Sequence, residues 1–394
     1  MNKNKVAIAL SGILVASLMQ SASADILLYK KRGTTFATDG YFNTFYTSSD
    51  VNRDDKNYDR KQARVRMGYL PNYIGFNFNT VTEGWTVGGR SSFWVTINDS
   101  EANGTATAID VRQFYGTVST KWGEVLLGKD FGLFSRSNIF LDEMLAGVGN
   151  VSDTLGLVDG RGVSFGNIGT GFPYPFPTAQ ITYRNNDLLL KGLRIAVGIM
   201  DPYDSTQVDK DSSDGLSDKA YQEDPRYEFE VSYQFDWAGA QIYTWVNGTH
   251  QRSQNTNDDI DSVTSKGLGY GVQTKYGPWS VTTSGFKAEG INPFLTNNSG
   301  EGRLREIDSD GYLVQGAYAW GDNRVALSYG RTNDDGNGLG QSADFKTLGA
   351  TYTRTLTKNL RFLTEYTRYQ IDAQDSYKLG EDTNTFAIGA ILSW

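Results

Sequence analysis

From about residue 26 onward, apolar and polar positions alternate with a period of two, and no stretch shows a convincing helical period. Tyr227, Phe229, Val231, Tyr233 and Phe235 share one face, against Glu228, Glu230, Ser232 and Gln234 on the other. Leu193, Ile195, Val197 and Ile199 oppose Arg194, Ala196, Gly198 and Met200. Leu268, Tyr270, Val272 and Tyr276 oppose Gly269, Gly271, Gln273 and Lys275. Trp85, Val87, Phe93, Val95 and Ile97 oppose Thr86, Gly88, Arg90, Ser92 and Thr96. In these segments the apolar face carries no charge. The final strand, 384–394, places Phe386, Ile388, Ala390, Leu392 and the terminal Trp394 on one side.

The connections alternate in length. Short Gly-, Asn- or Asp-bearing turns fall at Glu83-Gly84, Thr120-Lys121, 185–187, 236–239, Gly277-Pro278, 321–323 and 357–359. Long polar loops fall at about 48–60, 98–109, 131–176, 201–225, 250–265, 289–310, 332–343 and 371–383. Seven turns and eight loops join 16 strands, with both ends on the short-turn side. Segment 61–80 is read as one strand kinked at Pro71, because proline cannot donate to a ladder. Trp85, Trp122, Trp237, Trp279 and Trp320 flank the short turns, and with Trp394 they predict an interfacial girdle at that end. The expected fold is all-β: a 16-stranded antiparallel transmembrane β-barrel.

The N-terminus sets the compartment. Lys3 and Lys5, an apolar run over 6–19 and Ala22-Ser23-Ala24 predict a secretory signal peptide at 1–24, followed by a single barrel domain over 25–394. The absence of cysteine excludes disulfides and thiolate chemistry. The formal charge of −8 becomes more negative once the two leader lysines are removed, which argues against a nucleic-acid partner. No cofactor is expected. Catalysis finds little support, since His250 is the single histidine and sits at a loop start. The reading is not an enzyme, with an outer-membrane hydrolase dependent on His250 as a remote alternative. Acid-rich loops, at 204–224 and 258–261, read as solvated surface, with divalent bridging to lipid phosphates as the other reading.

Loop 131–176 is unlike the others. Leu133, Phe134, Ile139, Phe140, Leu141, Met144 and Leu145 give it apolar anchors, so it is expected to fold into the lumen and pack on the wall. It brings the adjacent acids Asp142 and Glu143, with Asp153 and Asp159 beyond. Arg64 and Arg66 share a face with Gln62 and Gly68, so both point inward, as does Arg90. Arg112 is ambiguous, because Phe114 and Val118 lie on its face. Together, Arg64, Arg66, Arg90, Arg112, Asp142 and Glu143 form the candidate pore constriction, with a transverse field between wall and loop.

Arg112-Gln113-Phe114-Tyr115-Gly116, followed by Trp122-Gly123-Glu124-Val125-Leu126-Leu127-Gly128-Lys129, resembles the Gram-negative trimeric porins. Ile74-Gly75-Phe76 and the closing strand 386–394 are similar to that family's corresponding strands. The resemblance implies a homotrimer in the outer membrane of a Gram-negative bacterium. It also implies an eyelet made by the third loop, with loop acids facing wall arginines. The sequence departs from it in lacking a short acidic Pro-Glu-Phe-Gly-like motif and in ending on Trp rather than Phe. The run 171–177, with three prolines, reads only as a rigid loop exit. The expected function is passive diffusion of small hydrophilic solutes and ions, in contact with outer-membrane lipid and lipopolysaccharide. The alternative is a substrate-selective channel for sugars, carboxylates or phosphate, and inward-facing Trp94 and Trp245 would favour sugars.

Overall fold

A computed structural model describes residues 25–98, 109–160, 162–202, 220–256, 262–294, 306, 308–336, 342–373 and 380–394. The expected signal peptide, and most acids of the loops at 204–224 and 258–261, lie outside the described residues. The strands, in chain order, are β1 (Ile26–Lys31), β2 (Thr34–Arg53), β3 (Arg60–Arg66), β4 (Asn72–Thr82), β5 (Trp85–Val95), β6 (Asp110–Thr120), β7 (Gly123–Phe131), β8 (Pro177–Asn186), β9 (Leu193–Met200) and β10 (Ala220–Tyr221). They continue as β11 (Arg226–Trp237), β12 (Ala240–Asn255), β13 (Val263–Tyr276), β14 (Trp279–Glu289), β15 (Asp308–Trp320), β16 (Asn323–Asp334), β17 (Ala343–Thr357), β18 (Leu360–Ala373) and β19 (Glu381–Ser393).

Each of the long strands pairs antiparallel with its neighbours, and β19 pairs with β2 from Tyr41 to Arg53, which closes the cylinder. The result is a closed barrel of 16 strands. Three labelled pieces add no strand of their own. β3 and β4 both pair with β2 and form one interrupted strand. β10 pairs with β12 above the end of β11. β1 pairs with β2 over 34–38, on the edge that β19 occupies further along.

The faces are inverted relative to a soluble protein. On β11, Tyr227, Phe229 and Val231 are exposed while Glu228, Glu230 and Ser232 are buried. Leu268, Tyr270, Val281, Leu327, Leu348 and Phe386 are likewise exposed on other strands, and buried polar residues alternate with them. A lipid-facing outside and a polar inside account for this pattern. Trp85, Trp122, Trp237, Trp279 and Trp320 are all exposed beside the short turns. In the tight turn after β4, Glu83 and Gly84 both take positive φ, +50° and +83°, as a two-residue hairpin demands.

The break at Pro71 is mended by side chains. Asn43 Nδ2 donates to the Leu70 carbonyl at 2.7 Å, and Asn43 Oδ1 accepts from Gly68 N at 2.6 Å. Asn98 Oδ1 accepts from Met67 N at 2.8 Å. Amide side chains here replace ladder bonds, so the kink leaves these buried backbone groups satisfied.

Trp394 closes the barrel by packing as well as pairing. Its ring lies 5.3 Å from Phe42, and a Cβ on Gly40 would come within 2.4 Å of its Cζ2. Gly40→Leu is therefore expected to displace the indole and to destabilise the barrel by about 1–3 kcal/mol, read by urea unfolding in detergent micelles.

Candidate functional site

The segment between β7 and β8 is bonded to inward-facing side chains around much of the wall. Its entry is fixed at Asp130. There Arg184 Nη2 donates at 2.8 Å, Gln113 Nε2 at 2.9 Å, and Arg136 Nη2 lies at 3.3 Å. Leu133 N and Phe134 N then donate to Glu228 Oε2, at 2.6 and 3.0 Å. Ser137 N donates to Glu230 Oε2 at 3.1 Å. The five-residue helix α1, Arg136–Phe140, follows.

Beyond α1 the chain reaches the opposite strands. Val148 N and Gly149 N donate to Glu365 Oε1, at 3.1 and 2.6 Å. Asp153 N donates to Glu381 Oε1 at 2.7 Å, and Thr154 N to Glu381 Oε2 at 2.9 Å. Gly147 O accepts from Tyr69 N at 2.8 Å, beside the kink. The return path is held by Thr170 Oγ1 donating to Thr347 Oγ1 at 2.9 Å, and by Gly171 N donating to Thr332 Oγ1, also at 2.9 Å. Gly330 is required there, because a Cβ would meet the Thr170 carbonyl at 1.8 Å.

The expected apolar anchors are all buried: Leu133, Phe134, Ile139, Phe140, Leu141, Met144 and Leu145. Several pack on apolar inward residues of the wall, among them Tyr41, Phe45, Val51, Leu363 and Ile391. The four glutamates that accept loop N–H groups were not singled out from sequence. Their signal was present for Glu228 and Glu230, acids at inward positions of a strand whose outward positions are aromatic. A buried carboxylate accepting two backbone N–H bonds makes strong, charge-assisted contacts.

The six sequence-predicted residues are distributed as follows. Asp142 is buried, and its Oδ1 accepts from Gln315 and Asn167 at 2.7 Å each and from Met144 N at 2.9 Å. Glu143 pairs with Arg324 of β16, Nη2 to Oε1 at 2.5 Å. Arg64 donates to the Asp159 carbonyl and Arg66 to the Leu157 carbonyl, both in the distal half of the loop. Arg90 is held by Asp39 of β2 at 2.7 Å, with Asn77 and Gln113 at 2.8 Å. Arg112 donates to Asp110 at 2.7 Å and to Tyr174 Oη at 3.1 Å, and lies 5.1 Å over the Trp94 ring.

Arg112 escapes the outward face because the β5–β6 register shifts between Ser92 and Trp94. The bulge turns Arg112 to the side of Asp110 and away from that of Phe114. The four arginines do not gather around Asp142 and Glu143. Besides the Glu143–Arg324 pair, loop carboxylates in direct contact with wall arginines are Asp153, with Arg53 at 3.0 Å and also with Arg60, and Asp159, with Arg60 at 2.7 Å. The three-proline exit has a partner as well: Tyr174 N donates to the Phe294 carbonyl at 2.9 Å. His250 lies exposed on β12, opposite Tyr227, on the outward face.

Burial pushes the Asp142 carboxyl up to about 6, against the opposing pull of bonds from Met144 N, Gln315 and Asn167. The raised value means that Asp142 contributes its stability fully below about pH 4, and loses it as pH rises through about 6. Asp142→Asn is therefore expected to leave the thermal midpoint unchanged at pH 4 and to raise it by a few degrees at pH 7.5. Thermal melts at the two pH values check this.

The family model of Gram-negative porins matches residues 7–374. The chain belongs to the Gram-negative porins. Three solved structures share the fold of this porin. The outer membrane channel DcaP of Acinetobacter baumannii is 16% identical, with a TM-score of 0.67, covering 94% of this chain and 100% of that one. The anion-selective porin from Comamonas acidovorans is 15% identical, with a TM-score of 0.61, covering 92% and 100%. The trimer form of OmpT from Vibrio cholerae is 14% identical, with a TM-score of 0.56, covering 92% and 100%. A comparison with curated protein sequences gives no match. Family membership and a closed barrel make this porin an outer-membrane diffusion channel.

Proposed function

We propose that this porin passes small hydrophilic solutes and ions down their gradients, and that segment 132–176, folded into the lumen, sets the narrowest passage. The carrying observation is the set of bonds from that segment to inward-facing Glu228 on β11 and to Thr347, Glu365 and Glu381 on the consecutive strands β17, β18 and β19, far from β11 around the barrel. In this reading Asp142 and Glu143 supply the loop side of the field, and Arg64, Arg66, Arg90 and Arg112 the wall side. Arg66, being buried, acts through the low-dielectric frame rather than by contact. Glu143 and Arg324 form the charge pair on the other wall.

A second reading, a substrate-selective channel, is favoured by how far the loop reaches around the wall. A sugar platform is the weakest version of it. Trp94 and Trp245 face inward, but they are 4% and 2% exposed. Trp94 stacks on Tyr73 at 4.6 Å and Trp245 Nε1 donates to Asn138 Oδ1 at 3.1 Å, so loop and wall packing occupy both rings.

The trimer form of OmpT supports a homotrimer here. Lys266, Lys287, Arg331, Lys346 and Arg368 stand on outward positions at the long-loop end, where lipid and lipopolysaccharide phosphates would meet them. The mature protein is then one domain, 25–394, after removal of 1–24. Liposome swelling with uncharged solutes of increasing size separates the two readings. A smooth fall of rate with size supports general diffusion. Inhibition of swelling by one particular solute supports selectivity. Absence of swelling by a folded protein contradicts both.

A further inference from the structure

Arg66 is set apart from the arginines around it. On β2 and β3, Arg53 and Arg60 meet Asp153; further along the wall, Arg90 on β5 meets Asp39 and Arg112 on β6 meets Asp110. Arg66 is 1% exposed, and among the described residues no carboxylate pairs with it. Its charged neighbour is another cation, Arg64. One guanidinium nitrogen, Nη1, donates to the Leu157 carbonyl, while Nε and Nη2 are buried and find no acceptor among the described residues.

A guanidinium stays charged at any physiological pH. An uncompensated buried charge carries a penalty of several kcal/mol, which proteins meet with a counter-charge. The two donors without an acceptor are not an arbitrary pair. Nε–H and Nη2–H form the side-on fork of the guanidinium, two parallel donors spaced for one carboxylate or one bifurcated halide. The fork sits on β3, on the side that the loop segment at Leu157 packs against.

We propose that Arg66 is the anchor of a binding site for one small monovalent anion, a halide or a carboxylate, sealed between β3 and loop residues 157–159. The anion completes the charge balance where the loop carbonyls of Leu157 and Asp159 are already held by Arg66 and Arg64. It therefore ties this part of the loop to the wall. The site does not depend on which solutes the channel passes, because it is read from diffraction and stability rather than from flux.

The test is anomalous diffraction from crystals of the full chain soaked in sodium bromide. A bromide peak within hydrogen-bonding reach of Arg66 Nε and Nη2, lost in Arg66→Gln, is the expected result. A parallel soak in sodium acetate identifies the source. Density at the same fork assigns a carboxylate, and bromide alone assigns a free halide. Either result supports the site. Protein or water oxygens on both fork nitrogens in both soaks would overturn it.

A second readout covers the case in which Arg66→Gln fails to fold. The thermal midpoint of the wild type should rise saturably with bromide at constant ionic strength, balanced with gluconate. Arg64→Gln, which leaves the fork intact, should keep that rise. A flat bromide titration of the wild type would also overturn the proposal.

Discussion

Replacing residues 134–170 with a short Gly-Ser linker is expected to raise single-channel conductance severalfold and to abolish most of the ion selectivity. A barrel of 16 strands encloses a lumen much wider than a small solute, so the wall alone is a poor sieve. What narrows it, in this account, is a segment pinned to Glu228 and Glu230 on one side and to Glu365 and Glu381 on another. The barrel's own ladders are independent of those pins, because β7 and β8 pair directly over Glu124–Phe131. The variant should therefore retain strand pairing. Glu365→Ala is a milder companion, since it strips the acceptor from Val148 N and Gly149 N without removing any loop residue. Each buried N–H left without an acceptor costs about 1–3 kcal/mol, so the loop should detach intermittently and add noise to the open level. Unchanged conductance in a folded linker variant would show that the narrowest section lies elsewhere.

Neutralising Arg64, Arg66 and Arg90 together to Gln is expected to move the reversal potential under a salt gradient toward cations. Glu143→Gln should move it the other way. An effective dielectric of about 20 gives a unit charge about 8 Å from a permeating ion roughly 2 kcal/mol of influence. Counter-charges such as Asp39 beside Arg90 cancel part of that. A shift in permeability ratio of about threefold for Glu143 and about tenfold for the triple variant follows. Screening should reduce both shifts sharply at 1 M salt. A triple variant with wild-type reversal potential would place these arginines away from the ion path.

The barrel was legible in the sequence because lipid enforces one rule along the middle of every strand: alternate side chains face hydrocarbon, and charges on that face are confined to the strand ends. The rhythm of turns and loops located the strands closely. It placed the kink at Pro71, although the Asn43 and Asn98 amides that repair it are separated from it in sequence and gave no local signal. The burial of the third loop's leucines and phenylalanines was legible, because such residues have no use in an exposed loop. The pairing inside the lumen was not. Which loop acid meets which arginine depends on the path of the loop across the barrel, and that path is fixed by glutamates on distant strands. Arg112 was ambiguous because a bulge between Ser92 and Trp94 shifts its parity, and a bulge of this kind has no period to betray it.

The most direct test of the whole account is the current carried by the purified wild-type protein in a planar lipid bilayer. Stepwise, ohmic conductance increments in simple salt are the predicted result, as expected of a wet bore narrowed but not sealed. A correctly folded protein that inserts and carries no current would contradict it.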